Sequence, residues 1–513
     1  MSDQINALPP EGGAKPAQKR ELSGEAAGRY RRLLVLTVLF CLFLVDALHW
    51  PWGMGNTLTV FLWYLLLLAV VGREALFHRR ESRVLLAVNL ALAATFALTS
   101  NFLFRWWNFL ALLVLLPVHA AAGLSCRPWW DPRMLAERFK LLFQGLFGNL
   151  WACFAAAMPD RQKAAGKDRR TMTIVLGACG AVALVSVLLP VLISADALFA
   201  ASLERLNLNF QFQMLHFGDL FQRLFWALVL TPFVFSLLYA LTVPKLLCPA
   251  KEEPGLRLDA LGFVLALAAV DVLYLAFLAV QSAGLFGGPE YLAAQGLSYA
   301  EWARSGFFQM VGVTVVNLSL MLAALGLSRR EGRDWAVLRG LCALLAGESL
   351  ILLASAAWRM TLYVSAYGLS FKRLLTYWGM VMMALFLLAG LWKARRPDFR
   401  FCKCAFPLAL AGWLVINCVP VDYLVAKNQV DRYLGGESQT VSVRYLVYTL
   451  SYDTLSQLER LDGERKVSDY GETDWRPHET LAEVLQGRKL DARWECADWR
   501  SWTLSACLAA GRG

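Results

Sequence analysis

Residues 259–283, DALGFVLALAAVDVLYLAFLAVQSA, decide the fold. They contain no lysine or arginine. As a helix they would reach about 37 Å, more than the roughly 30 Å hydrocarbon core of a bilayer. Ten further apolar runs accompany this one, near 33–49, 56–72, 84–99, 106–122, 172–196, 224–244, 307–328, 338–358, 373–392 and 405–423. The reading is an all-α polytopic membrane protein of about eleven spans with a small helical tail. Composition agrees: 58% of the 513 residues are hydrophobic and 17% are charged. Ordinary soluble domains carry about 25% charged residues. A simple cytosolic enzyme, a disordered chain and a secreted disulfide scaffold are excluded.

The net charge of +11 is a topology signal. Lysine and arginine crowd alternate connections. The arm and the segments 73–83, 123–171, 245–257, 329–339 and 393–403 hold 31 of them. The other connections hold only 7: Arg105, Arg205, Arg223, Arg304, Arg359, Lys372 and Arg373. Short basic loops stay cytoplasmic. The N-terminus is therefore expected inside and the C-terminal tail outside. The partners this implies are the lipid bilayer and, at the basic inner face, anionic lipids. A nucleic-acid partner is not implied.

The organisation follows. Residues 1–30 are polar and read as a disordered cytoplasmic arm. Residues 31–122 hold four spans. Residues 123–171 hold a cytoplasmic interfacial segment, with 139–158 as an amphipathic helix. Calling 139–158 a span would put the basic stretch 161–170 outside. Residues 172–424 form a seven-helix membrane core. Residues 425–513, with 12 basic and 14 acidic residues, form an outer helical tail. That tail is too short to bury much core alone and is expected to lean on the membrane part or on a partner.

Chemistry-bearing residues are few. No phosphate-binding loop, dinucleotide fingerprint, zinc motif or catalytic-serine motif is present. The five histidines are scattered, so neither a cofactor nor a metal is indicated. Cys496 and Cys507 lie in the tail expected outside, where a disulfide is permitted; two unpaired thiols are the alternative. Asp271 and Glu348 sit near the middle of their spans. Charges at such depth face the bundle interior and find partners. They either take up a proton in a polar pathway, or act as interhelical glue by bonding Ser, Asn or Tyr on neighbouring helices. Arg359, Tyr363 and Tyr367 fall on one helix face. Gly368 suits a helix stop and Ser370 an N-cap, giving a tight outer hairpin. Arg359 either pairs with Asp196, meets an anionic ligand, or anchors the span at the interface. Ser298 and Glu301 form a capping-box pattern in the connection 280–310.

The stretches LLPVLISADALFA, LYLAFLAVQSAGLFGG, LSYAEWARSGFFQM, RMTLYVSAYGLSFKRL, YLVAKNQVDRY and YLVYTLSYDTLSQLERL occur in that order over roughly residues 180–460. As an ordered set they resemble a family of bacterial multi-pass membrane proteins known as domain of unknown function 4173, related to 4153. The resemblance implies a bacterial cytoplasmic membrane and carries over no catalytic residue, substrate or cofactor. Three function classes remain. The leading one is a non-enzymatic envelope scaffold or sensor whose outer loops and tail meet an envelope protein partner. The others are a transporter using Asp271 and Glu348, and a membrane enzyme acting on a lipid-linked group near Arg359 and Asp196.

Overall fold

The computed structural model describes residues 24–48, 50–73, 80–122, 131, 134–157, 210–242, 258–285, 307–471, 476 and 478–511. The expected arm (but for its last residues), the span 172–196 with Asp196, and the Ser298–Glu301 capping pattern lie outside them. Among the described residues the long elements are helices: α1 (Gly24–Ala47), α2 (Met54–Val71), α3 (Arg80–Leu98), α4 (Phe102–Ala122), α5 (Met134–Gly148), α6 (Leu150–Ala157), α7 (Phe210–Thr242), α8 (Ala260–Leu285), α9 (Phe307–Leu327), α10 (Gly332–Tyr367), α11 (Phe371–Arg395), α12 (Phe401–Cys418), α13 (Val421–Leu434), α14 (Leu455–Leu458), α15 (Leu481–Ala497) and α16 (Leu504–Ala510). Nine stretches among these are long and apolar enough to cross a membrane. The chain is a polytopic all-α membrane protein.

Two details differ from the sequence reading. The stretch expected to lie in the interface is helical in two pieces, α5 and α6, parted at Asn149. Together Ala136–Ala157 have the length and composition of a span. The eleventh apolar run stops early. Pro420 has no N–H and pushes the residue before it out of helical geometry, so Val419 is extended at φ −79° and ψ 127°. The next helix, α13, starts directly after Pro420, at Val421.

Contacts divide the chain into two units, residues 1–42 with 146–239, and residues 43–145 with 240–513. In the first, Tyr30 packs on Tyr239 with ring centroids 5.0 Å apart, and the Asn149 amide donates to the Ser236 hydroxyl at 3.0 Å.

In the second unit α3 packs on α2, α4 and α12, while α10 packs on α8, α9 and α11. The connections sort onto two ends. At one end, Leu258 pairs with Leu327 and Arg329, and Arg339 donates to the carbonyls of Ala394 and Arg395. These belong to the basic connections. At the other end, the sparsely basic connections gather against the tail. Met54 N–H donates to Trp502 O at 3.0 Å and Gly55 N–H to Arg500 O at 3.1 Å. Asn101 donates to Asp422 at 2.7 Å, and Leu369 N–H to Asn428 at 2.6 Å. Buried Phe104, Phe371 and Ile416 of the spans share one apolar cluster with Leu446, Leu455, Leu481 and Ala506 of the tail. The tail is a cap whose core is completed by the ends of the spans.

The α10–α11 hairpin has the expected punctuation. Gly368 stands at φ 73°, which favours glycine, and the Ser370 hydroxyl accepts from Arg373 N–H.

Candidate functional site

An open cavity of about 520 Å³ is lined jointly by the cap and the ends of the spans. Its lining residues are far apart in sequence. Trp50 and Pro51 come from the α1–α2 connection, and Ser100, Phe102 and Arg105 from the α3–α4 turn and the start of α4. The cap supplies Tyr452, Arg488, Asp491, Trp494 and Glu495, the last four along α15. The turn is fixed by Asn101, whose side-chain oxygen accepts from Phe104 N–H while its amide holds Asp422. That places Arg105 one turn into the helix, facing the cap. On α15, Arg488, Asp491 and Glu495 fall at i, i+3 and i+7, one face of a helix. The helix is started by a capping box, Thr480 with Glu483.

Polar satisfaction in this cavity is incomplete. Arg105 is only 4% exposed, and its Nε donates to the Thr99 carbonyl at 3.0 Å. Its Nη2 is buried with no hydrogen-bond partner. Tyr452 donates to Glu495 Oε1 at 2.8 Å, leaving Oε2 buried and unpartnered. Burial pushes the Tyr452 phenol above its ordinary range, so it stays a donor. The Arg488 guanidinium lies 4.2 Å from the centroid of the Tyr452 ring, and its Nε has no partner. Buried polar groups are normally bonded, because an orphan costs about 1–3 kcal/mol. Three such atoms belong to residues that line this one pocket.

The membrane-embedded acids occupy a separate place in the same unit. Asp271 on α8 and Glu348 on α10 are 1% and 2% exposed, and none of their four carboxyl oxygens has a hydrogen-bond partner. The helices that carry them, α8 and α10, pack against one another. Interhelical bonding is present nearby but bypasses them. Tyr274 donates to Asn317 at 2.9 Å, and Asn317 to Ser349 at 3.0 Å. Both acids are thus buried without a hydrogen-bond partner, on two helices that pack against one another.

At the α10–α11 hairpin Tyr363 and Tyr367 pair with centroids 5.2 Å apart. The guanidinium 4.0 Å from the Tyr363 centroid belongs to Arg373, which also donates to the Gly368 carbonyl. Arg359 is bonded as well, with its Nε left over. Its expected partner Asp196 is outside the described residues. Cys496 and Cys507 are free thiols within bonding reach of one another across α15 and α16. Burial pushes the Cys496 thiol up to about 12.

Sequence reasoning missed several of these residues. Arg105 counted only as a loop charge, and Trp50, Tyr452, Arg488, Trp494 and Glu495 carried no signal. It also passed over His119, whose two ring nitrogens meet Tyr64 at 2.9 Å and Ser82 at 2.6 Å in a buried chain that Asn89 extends. With both nitrogens engaged, His119 is a satisfied structural residue. Among the described residues no group of three or more His, Cys, Asp or Glu could hold a metal ion.

These features define a multi-pass membrane protein with a helical cap and an open pocket between the cap and the span ends at one end of the bundle. Residues 86–461 match the family model described as Domain of unknown function (DUF4153), and the chain belongs to that family. The match is to the family numbered 4153, the relative of the one the quoted segments resemble, and it reaches further toward the N-terminus than they do. No curated protein and no solved structure matches the chain.

Proposed function

We propose that this protein is a ligand-binding envelope protein, a sensor or scaffold of the bacterial cytoplasmic membrane. It acts on the extracytoplasmic side through the cavity under its cap. The observation that carries this is Arg105, buried at the rim of the bundle with an unpartnered Nη2 on a 520 Å³ cavity. The outer assignment rests on the 31-to-7 split of lysine and arginine between alternate connections, because the cap sits with the sparse set.

Two measurements test it. A periplasmic reporter such as alkaline phosphatase fused after Gly513 will be active, and a fluorescent protein that needs the cytosol will stay dark. A lit cytosolic fusion ends the reading. Native mass spectrometry of the full chain, purified in a detergent without a sugar headgroup, will show a bound small molecule that is absent from Arg105→Ala. An identical adduct pattern in the two proteins ends it as well.

The orphaned oxygens of Asp271 and Glu348 favour a second reading, a proton-coupled transporter. On that reading the double variant Asp271→Asn, Glu348→Gln reduces uptake in proteoliposomes to background. If the variant restores every phenotype of a deletion strain, the acids are structural.

A further inference from the structure

We propose that the cavity under the cap binds a neutral carbohydrate ring. This rests on the reading of that cavity as a ligand site and names the ligand class. Two arginines, Arg105 and Arg488, and two carboxylates, Asp491 and Glu495, line the cavity, and Arg488 already meets Asp491 at 3.6 Å. An anion such as phosphate would satisfy the arginines but would confront both carboxylates, leaving Glu495 Oε2 still without a donor. A cation would meet the reverse problem. The buried atoms of these residues left without a hydrogen-bond partner are two donors, Arg105 Nη2 and Arg488 Nε, and one acceptor, Glu495 Oε2. A hydroxyl both accepts and donates. A ring carrying several hydroxyls is the simplest complement to that set, and it brings no net charge into a balanced site.

The walls support the same class. Trp50, Phe102 and Trp494 line the cavity and are 52%, 56% and 78% exposed. Aromatic faces carry the negative side of the ring quadrupole. They suit the weakly positive C–H face of a pyranose, which is apolar across its plane and polar around its edge. A fatty chain would use the aromatics and leave the three polar orphans unsatisfied. The volume of 520 Å³ falls in the roughly 300–1,000 Å³ range of small-molecule sites. The position also fits, since the site opens at the end of the bundle and its partners are reached without crossing the hydrocarbon layer.

The test is binding of the full chain, purified in the same detergent, to an array of neutral and charged microbial oligosaccharides. The expected result is retention on neutral-sugar spots. Trp494→Ala, at an exposed position where folding is not at stake, will weaken this about tenfold, and so will Glu495→Gln. Millimolar inorganic phosphate will not compete. A blank array overturns the carbohydrate assignment, as does retention unchanged in Trp494→Ala or displacement by phosphate. If the array is blank while native mass spectrometry still reports an Arg105-dependent adduct, only the ligand class falls. If both are negative, the cavity reading falls with it.

Discussion

Replacing Gly53 by alanine will release the cap from the bundle. A Cβ at this position would stand 2.4 Å from the Ser501 carbonyl carbon, 2.5 Å from its oxygen and 2.7 Å from the Trp502 oxygen. All three are backbone atoms, so no side chain can rotate away. The same approach makes the hydrogen bonds Met54 N–H to Trp502 O and Gly55 N–H to Arg500 O. Overpacking of this kind costs about 1–3 kcal/mol or more, and two lost backbone bonds add about 1 kcal/mol each. Most of the buried residues of the shared apolar cluster belong to the cap itself, so it should detach rather than deform. Limited proteolysis in detergent will then cut the tail of Gly53→Ala at protease levels that spare the wild type. Gly487→Ala is the control. A Cβ there meets nothing within 4 Å, and alanine in a helix is slightly stabilising. Equal protease resistance of Gly53→Ala and the wild type would mean that the α1–α2 connection does not seat the tail.

Asp422→Ala should have the second-largest effect. Asp422 is 3% exposed and one of its oxygens accepts from both Asn101 Nδ2 at 2.7 Å and Ser451 N–H at 3.0 Å. It therefore ties the α3–α4 turn, and through that turn Arg105, to the cap. Alanine leaves two buried donors unbonded, about 2–4 kcal/mol in total. Asp422→Asn keeps an accepting oxygen in place and should cost less than about 1 kcal/mol. The two variants together separate the hydrogen bonds from the charge. Burial pushes the Asp422 carboxyl above the usual aspartate range, against the hydrogen bonds that lower it. The folded chain thus holds this proton more tightly than the unfolded chain. The associated stability is fully present below the unfolded value and is lost as pH rises through the folded value. Thermal unfolding in detergent should accordingly show a fall in Tm across that window in the wild type, and a smaller one in Asp422→Asn. A wild-type curve no steeper than that of Asp422→Asn would count against the buried charge.

Which residues were legible in the sequence follows from how far each signal reaches along the chain. Asp271 and Glu348 stand out because a lone charge in twenty apolar residues is conspicuous without knowing any neighbour. The Gly368–Ser370 hairpin is legible because a stop and a cap act within four residues. Arg105 looks like one more loop charge in RWWN. What distinguishes it is that it is buried, with a nitrogen left over, and burial there is imposed by α15 almost four hundred residues later. Tyr363 and Tyr367 were recognised as a pair from their spacing. The Arg373 guanidinium against them was not, because it comes from the far side of the turn.

The apolar runs and their lysine and arginine bias, by themselves, determined an all-helical, many-times-crossing chain and the side on which each connection is expected to fall. Those properties depend on local composition and on the lipid, which reads one segment at a time. The tertiary structure alone decided that the tail folds back as a cap sharing its core with the spans. It also decided that residues near 50, 100, 452 and 490 line one open pocket. That arrangement depends on backbone meeting backbone at Gly53 and on the Asp422 carboxylate accepting from Asn101, contacts between segments some 320 to 450 residues apart for which no local pattern exists.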